Sequence, residues 1–266
     1  MSSFGKTAFR GVIGCALFAA MNLAAASVSA TLLPQSWNGW KWSRTGPLAI
    51  TLKANVSSAW TPYVTAAAAQ WSKDQYIDYV VKAGTPSTST TCAASYGTLQ
   101  VCNANYGATG WVGYTQVWTL NNYIVQATVK LNEYYFSQPK YNTVAWRQLV
   151  TCQELGNALG LDDSDHNFGN ANSGTCTDYT NDPTGKLGTN GTLANLAPDA
   201  TDMANLDRIY STLGTTQIAS TKPIAQVGNA FLAVPVPEPA SWMLMLGGFG
   251  IVGGAMRRTR PSARLA

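Results

Sequence analysis

The chain has 266 residues, enough for one ordinary domain with targeting segments at both ends, and only 11% of them are charged. Its net charge of +4 belongs to the ends, because Lys6, Arg10, Arg257, Arg258, Arg260 and Arg264 lie there and residues 31–234 carry 11 basic against 12 acidic side chains. That balance excludes a basic nucleic-acid-binding face, and the polar but weakly charged composition suits an exported protein.

Residues 1–30 read as a secretory signal peptide. Lys6 and Arg10 form the positive start, Gly11–Ala26 is the apolar stretch, and Val28-Ser29-Ala30 offers small residues for cleavage before Thr31. Cys15 falls in this leader, which leaves Cys92, Cys102, Cys152 and Cys176. Four cysteines in an exported chain imply two disulfides with three possible pairings. The pairs closest in sequence are Cys92–Cys102 and Cys152–Cys176; four buried free thiols are the alternative.

Residues 31–214 form the domain. Alternation predicts a strand over Pro47–Val56, then an alanine-rich helix over Trp60–Trp71 with Thr61 and Pro62 at its start. Strands follow over Tyr76–Val81, Thr98–Asn103, Thr109–Thr119 and Ile124–Asn132, separated by turn residues such as Asn105-Tyr106-Gly107 and Asn121-Asn122. A second helix runs from Asn142 to about Leu159, capped by Asn142 or Thr143 and ended by Gly160, with Leu149, Cys152, Gly156 and Leu159 on its inward face. His166–Gly191 is poor in apolar residues and reads as a long irregular excursion. Asp199–Leu213 reads as a last helix with Met203, Leu206, Ile209 and Tyr210 as its apolar stripe. The fold class is α+β, with five strands.

Residues 215–235 are a linker and residues 236–260 a distinct tail. The tail has Pro237-Glu238-Pro239, an apolar run over 240–256, and then Arg257, Arg258 and Arg260. Seventeen residues at about 1.5 Å each span ~25 Å, near the lower limit for a transmembrane helix. The arginines place the far end in the cytoplasm and the domain outside.

The candidate chemistry lies in Thr151–Asp163, T-C-Q-E-L-G-N-A-L-G-L-D-D. Its spacing is that of H-E-x-x-H-x-x-G-x-x-H, a zinc-protease motif. Glu154 and Gly160 fall in place, but Gln153, Asn157 and Asp163 stand at the three histidine positions. The chain has one histidine, His166, so no three-histidine site can be built from it. Asp162, Asp163, Asp165 and His166 cluster after Gly160 and offer oxygen ligands that suit Ca²⁺ or Mg²⁺ better than Zn²⁺; a solvated acidic loop is the other reading. Glu154 is alternatively a buried structural acid. Trp111, Tyr114, Trp118, Tyr134 and Tyr135 either line a sugar- or peptide-binding cleft or pack as half-buried strand residues. No G-x-S-x-G elbow and no phosphate-binding glycine loop is present.

Two resemblances extend this reading. The tail resembles the PEP-CTERM sorting signal, which implies recognition and cleavage by an exosortase, transient anchoring in the inner membrane, and delivery to the periplasm, outer envelope or extracellular matrix. The body, from about Ile50 to Leu213, resembles the bacterial matrixin-like zinc metalloproteases of the metzincin group. In one subfamily the pattern is V-C-N-A-x-Y-G, W-R-Q-L-V-x-C-Q-E-x-G-H and C-M-D-Y-T-N-D-P. Here Val101–Gly107 reads V-C-N-A-N-Y-G, Trp146–Asn157 reads W-R-Q-L-V-T-C-Q-E-L-G-N, and Cys176–Pro183 reads C-T-D-Y-T-N-D-P. The resemblance favours the disulfide pairing given above. It implies a mixed five-stranded sheet with an active-site helix and a C-terminal helix, a zinc ion held by the three histidine positions, a glutamate base at Glu154, and a methionine beneath the metal.

Thr177 takes the place of that methionine, and Gln153, which that subfamily also has, Asn157 and Asp163 replace the ligands. Amide oxygens are weak ligands for zinc. The expected function is therefore that of a catalytically inactive protease homologue acting in binding or matrix structure, with Glu154 a vestigial base. The competing expectation is an envelope metalloendopeptidase with non-histidine ligands. No cofactor is expected, with zinc only if the altered positions still hold a metal. Expected partners are an exosortase, the membrane through the tail, and matrix polysaccharide or envelope protein.

Overall fold

The computed structural model describes residues 35–213 and 224–225. The elements in order are β1 Lys41–Trp42, β2 Leu48–Asn55, α1 Thr61–Trp71, β3 Ile77–Ala83, β4 Thr98–Ala104, β5 Gly113–Leu120, β6 Tyr123–Asn132, α2 Glu133–Phe136, α3 Val144–Asn157, α4 Ala200–Tyr210 and β7 Ile224–Ala225. The fold is mixed α/β. The expected segments 1–30 and 240–256, and the linker apart from Ile224–Ala225, lie outside the described residues. Among the described residues no helix is long and apolar enough to cross a membrane.

The sheet order is β3-β2-β4-β6-β5-β7, with β1 on β6. β3, β2, β4 and β6 run parallel, while β5 is antiparallel to β6. The connection from β2 to parallel β3 needs a crossover, and α1 provides it. The hairpin from β5 to β6 turns at Asn121 and Asn122, whose φ values of 50° and 65° lie in the left-handed region that asparagine tolerates.

Five long strands match the expected sheet, but among the described residues the sheet has seven. β1 and β7 have two residues each, too few for any periodicity to show in the sequence. α2 is a single turn that was also not foreseen; the Asn132 side chain accepts from the Tyr134 amide and starts it. β5 begins at Gly113 rather than Thr109, because Gly110 at φ 85° and an Asn132 side chain bonded to Thr109 and Trp111 hold that stretch in a turn. Of the two candidate caps of α3, Thr143 accepts from the Trp146 amide, while Asn142 accepts from Arg147.

One core joins the inner sheet face to α1, α3 and α4. Leu52, Leu99, Val117, Val129 and Leu131 from the sheet cluster with Val64, Trp71, Leu149, Val150, Leu155 and Leu206. α1 and α3 approach closely because position 156 is glycine: a Cβ there would stand 2.6 Å from Trp71 Cζ2. Trp71 is fully buried and its Nε1 donates to the Cys152 carbonyl at 2.8 Å. Among the described residues two disulfides crosslink the domain, Cys92–Cys102 and, within the core, Cys152–Cys176. The first ties the 84–97 loop to β4, and the second ties α3 to the excursion that follows it.

Candidate functional site

α3 is not an amphipathic surface helix. Every residue from Leu149 to Asn157 is buried. Its polar side chains at Gln153, Glu154 and Asn157 therefore have to find partners inside the protein, since a buried polar group without one is costly.

Gln153 and Asn157, one helical turn apart, share a face and meet Asp163. Gln153 Nε2 donates to Asp163 Oδ1 at 3.0 Å and Asn157 Nδ2 to the same oxygen at 3.3 Å. The chain reaches that point through a tight reversal at Gly160, whose φ is 90°. A Cβ at Gly160 would fall 2.0 Å from the Trp40 carbonyl oxygen, so only glycine fits. The three altered ligand positions thus converge, with Gln153 and Asn157 both donating to Asp163. The amide oxygens Gln153 Oε1 and Asn157 Oδ1 are buried without a partner.

Asp162, Asp163 and His166 bring one ligand atom each to within 4.8 Å of one another. His166 Nε2 lies 3.7 Å from Asp163 Oδ2, but the histidine side chain is 62% exposed and that of Asp163 1%. Asp165 does not join them; it accepts from the Asn167 amide and from Asn170. Thr177, in the position of the expected methionine, turns to α4 instead. Its hydroxyl donates to Asp202 Oδ1 at 2.9 Å, and Thr175 donates to the other oxygen. Burial holds the Asp202 carboxyl above its ordinary value, although the bonds from Thr175, the Asp199 amide and Thr177 draw it down.

Glu154 faces β5. Thr115 Oγ1 lies 2.5 Å from Glu154 Oε2 and 2.9 Å from the Glu154 carbonyl. Gly113 leaves space for the carboxylate, since a Cβ there would be 2.4 Å from Glu154 Oε1. Glu154 has no exposed surface. Thr115 and Gly113 were not foreseen as partners of this residue; alternate positions on one strand give no sign of which helix they will meet.

A resident zinc ion would need electron-pair donors aimed at one point. Here two amide N–H groups already point at the only carboxylate among the three positions, and those three positions supply no imidazole or thiolate. The residues at those three positions do not fit zinc. Of the aromatic residues, Trp111 and Tyr114 form a half-buried row with Tyr106, at centroid separations of 5.0 and 5.5 Å. Tyr134 packs edge-on against Tyr135, and Tyr135 accepts from the Gly110 amide through its hydroxyl.

The sorting residues Pro237, Glu238, Pro239, Arg257 and Arg258 lie outside the described residues, and comparison with known families bears on them directly. Residues 235–260 match the PEP-CTERM protein-sorting motif. The motif points to an exported, envelope-directed protein processed by an exosortase, with its C-terminal region associated with the membrane. No curated protein matches the chain.

Proposed function

We propose that this exported, exosortase-sorted chain carries a matrixin-like domain that is a catalytically inactive metalloprotease homologue, acting in binding or in matrix structure at the envelope or outside the cell. Residues 1–30 are its signal peptide, 31–214 its domain, 215–235 its linker, and 240–256 the apolar run that anchors it until sorting. The observation that carries the reading is the closure of Gln153, Asn157 and Asp163 on one another by hydrogen bonds. Support also comes from Glu154, which is sealed against Thr115. The mixed sheet with one long antiparallel strand and a buried helix bearing the motif agrees with the resemblance.

The test uses protein purified from the envelope after sorting. Metal analysis is expected to find no stoichiometric zinc, and peptide substrates are expected to remain intact. Zinc at one equivalent together with cleavage abolished by Glu154→Ala would overturn the reading. The binding role predicts retention on matrix polysaccharide or envelope protein; retention on neither would remove it.

A further inference from the structure

A cavity of about 430 Å³ opens where β2, β4 and β6 end, lined by Ser57, Pro86, Ser87, Asn103, Asn105 and Glu133 among others. Its size falls within the range of about 300–1,000 Å³ found for small-molecule sites. The three strands are parallel neighbours, and the crevice beyond the carboxyl ends of parallel strands is where such sheets place ligands. The cavity shares no lining residue with the Gln153–Asn157–Asp163 cluster.

Glu133 is held in a fixed pose. Its Oε1 accepts from Trp60 Nε1 at 2.6 Å and from Asn103 Nδ2 at 2.5 Å. Asn103 is itself nine-tenths buried and accepts from the Ser57 amide at 2.8 Å. Both donors are neutral and both take the same oxygen. Among the described residues no lysine, arginine or histidine forms an ion pair with Glu133. A carboxylate so placed favours a cation that donates hydrogen bonds. The rest of the lining supplies the hydroxyls of Ser57, Ser87 and Thr88 and the exposed Asn105 amide, with Pro86 and Ala104 as small apolar faces. Tyr106, next after Asn105, begins the half-buried row of rings with Trp111 and Tyr114.

From this arrangement we infer that the cavity is a saccharide-binding subsite selective for an amino sugar, with the sugar ammonium on Glu133 and its hydroxyls on the Ser, Thr and Asn side chains. The inference gives a ligand class to the binding role proposed above and is independent of the metal question.

The test is calorimetric titration of the sorted protein with a β-linked glucosamine oligosaccharide, its N-acetylated form, and a glucose oligosaccharide of equal length. The glucosamine oligomer is expected to bind, and its affinity to fall as pH rises through the amine's own titration. Glu133→Gln keeps an acceptor for Trp60 and Asn103 and is expected to weaken binding about tenfold or more, as loss of one charge-assisted bond implies. Ser87→Trp, on an exposed loop residue, is expected to abolish binding with thermal stability unchanged. Equal binding of the N-acetylated or glucose oligomer would overturn the inference. So would equal binding of a lysine-rich peptide, indifference to both variants, or absence of binding. Zinc content and peptidase activity have no bearing on any of these outcomes, so a failure here is distinguishable from a failure of the inactive-protease reading.

Discussion

Gln153 Nε2 stands 3.0 Å from Asp163 Oδ1, joining the first and third positions of a zinc-protease motif by a hydrogen bond. With Asn157 on the same oxygen, Asp163 serves two buried donors at once. Asp163→Ala leaves the Asn157 amide without an acceptor and the Gln153 amide with only the Thr177 carbonyl at 3.5 Å, a loss of about 1–3 kcal/mol for the orphaned donor. Thermal unfolding should show a fall in Tm of several degrees. Asp163→Asn keeps an acceptor oxygen in place and should recover most of the loss. Equal effects of the two substitutions would show that shape, not hydrogen bonding, matters there.

If the cluster occupies a metal's place, restoring imidazoles should restore the metal. The triple variant Gln153→His, Asn157→His, Asp163→His is expected to bind zinc at one equivalent and to gain Tm in its presence, while the unaltered chain gains none. Indifference of both proteins to zinc would mean that the three positions no longer converge once changed.

Gly113 keeps β5 against α3. A Cβ at this residue would meet Glu154 Oε1 at 2.4 Å and Val150 Cγ1 at 2.6 Å, both in buried side chains with little room to yield. Gly113→Ala should cost about 1–3 kcal/mol by overpacking, read as a lower midpoint in denaturant. In a Glu154→Gln background the clash persists. In a Val150→Ala background it should be partly relieved.

Much of the fold was legible because the long elements carry their period in the sequence. β2, β4 and β6 alternate, and α3 has both a cap at Thr143 and a stop at Gly160. The parallel order of the strands was not legible, since register and neighbours depend on packing that no single segment encodes. β1, β7 and α2 were too short to announce themselves. At the site, the spacing of Gln153, Asn157 and Asp163 foretold that they would meet. It did not foretell that Glu154 would turn to Thr115, or that Asp165 would leave the cluster for Asn170. Glu133 was passed over because a lone acid after a strand carries no pattern; its meaning comes from Trp60 and Asn103, which lie far from it in sequence.

Asp202 gives the domain a pH signature. Its raised pKa, caused by burial, means that the folded state holds this proton more tightly than the unfolded chain. The associated stability is fully present below the ordinary aspartate value near 3.8 and is lost as pH rises through the raised folded value. Asp74 and Asp178, also raised by burial, act in the same direction. Tm measured across the acid range should fall less with rising pH in Asp202→Asn than in the unaltered chain. Parallel profiles would remove Asp202 from the account.

The Cys152–Cys176 bridge closes a loop of 24 residues, for which chain-entropy estimates give about 3 kcal/mol. Replacing both cysteines by alanine should lower Tm accordingly. Thiol labelling of the denatured sorted protein should find no free cysteine, and a labelled pair would contradict the exported, oxidised state.

Between the domain and its tail stands β7, with two residue pairs against Trp118 and Thr119 of β5. Two antiparallel pairs peel one after the other and resist little, whereas α3, crosslinked and buried, lies behind them. A pull applied beyond β7 is therefore expected to part those two pairs before it reaches α3, which the Cys152–Cys176 bridge crosslinks.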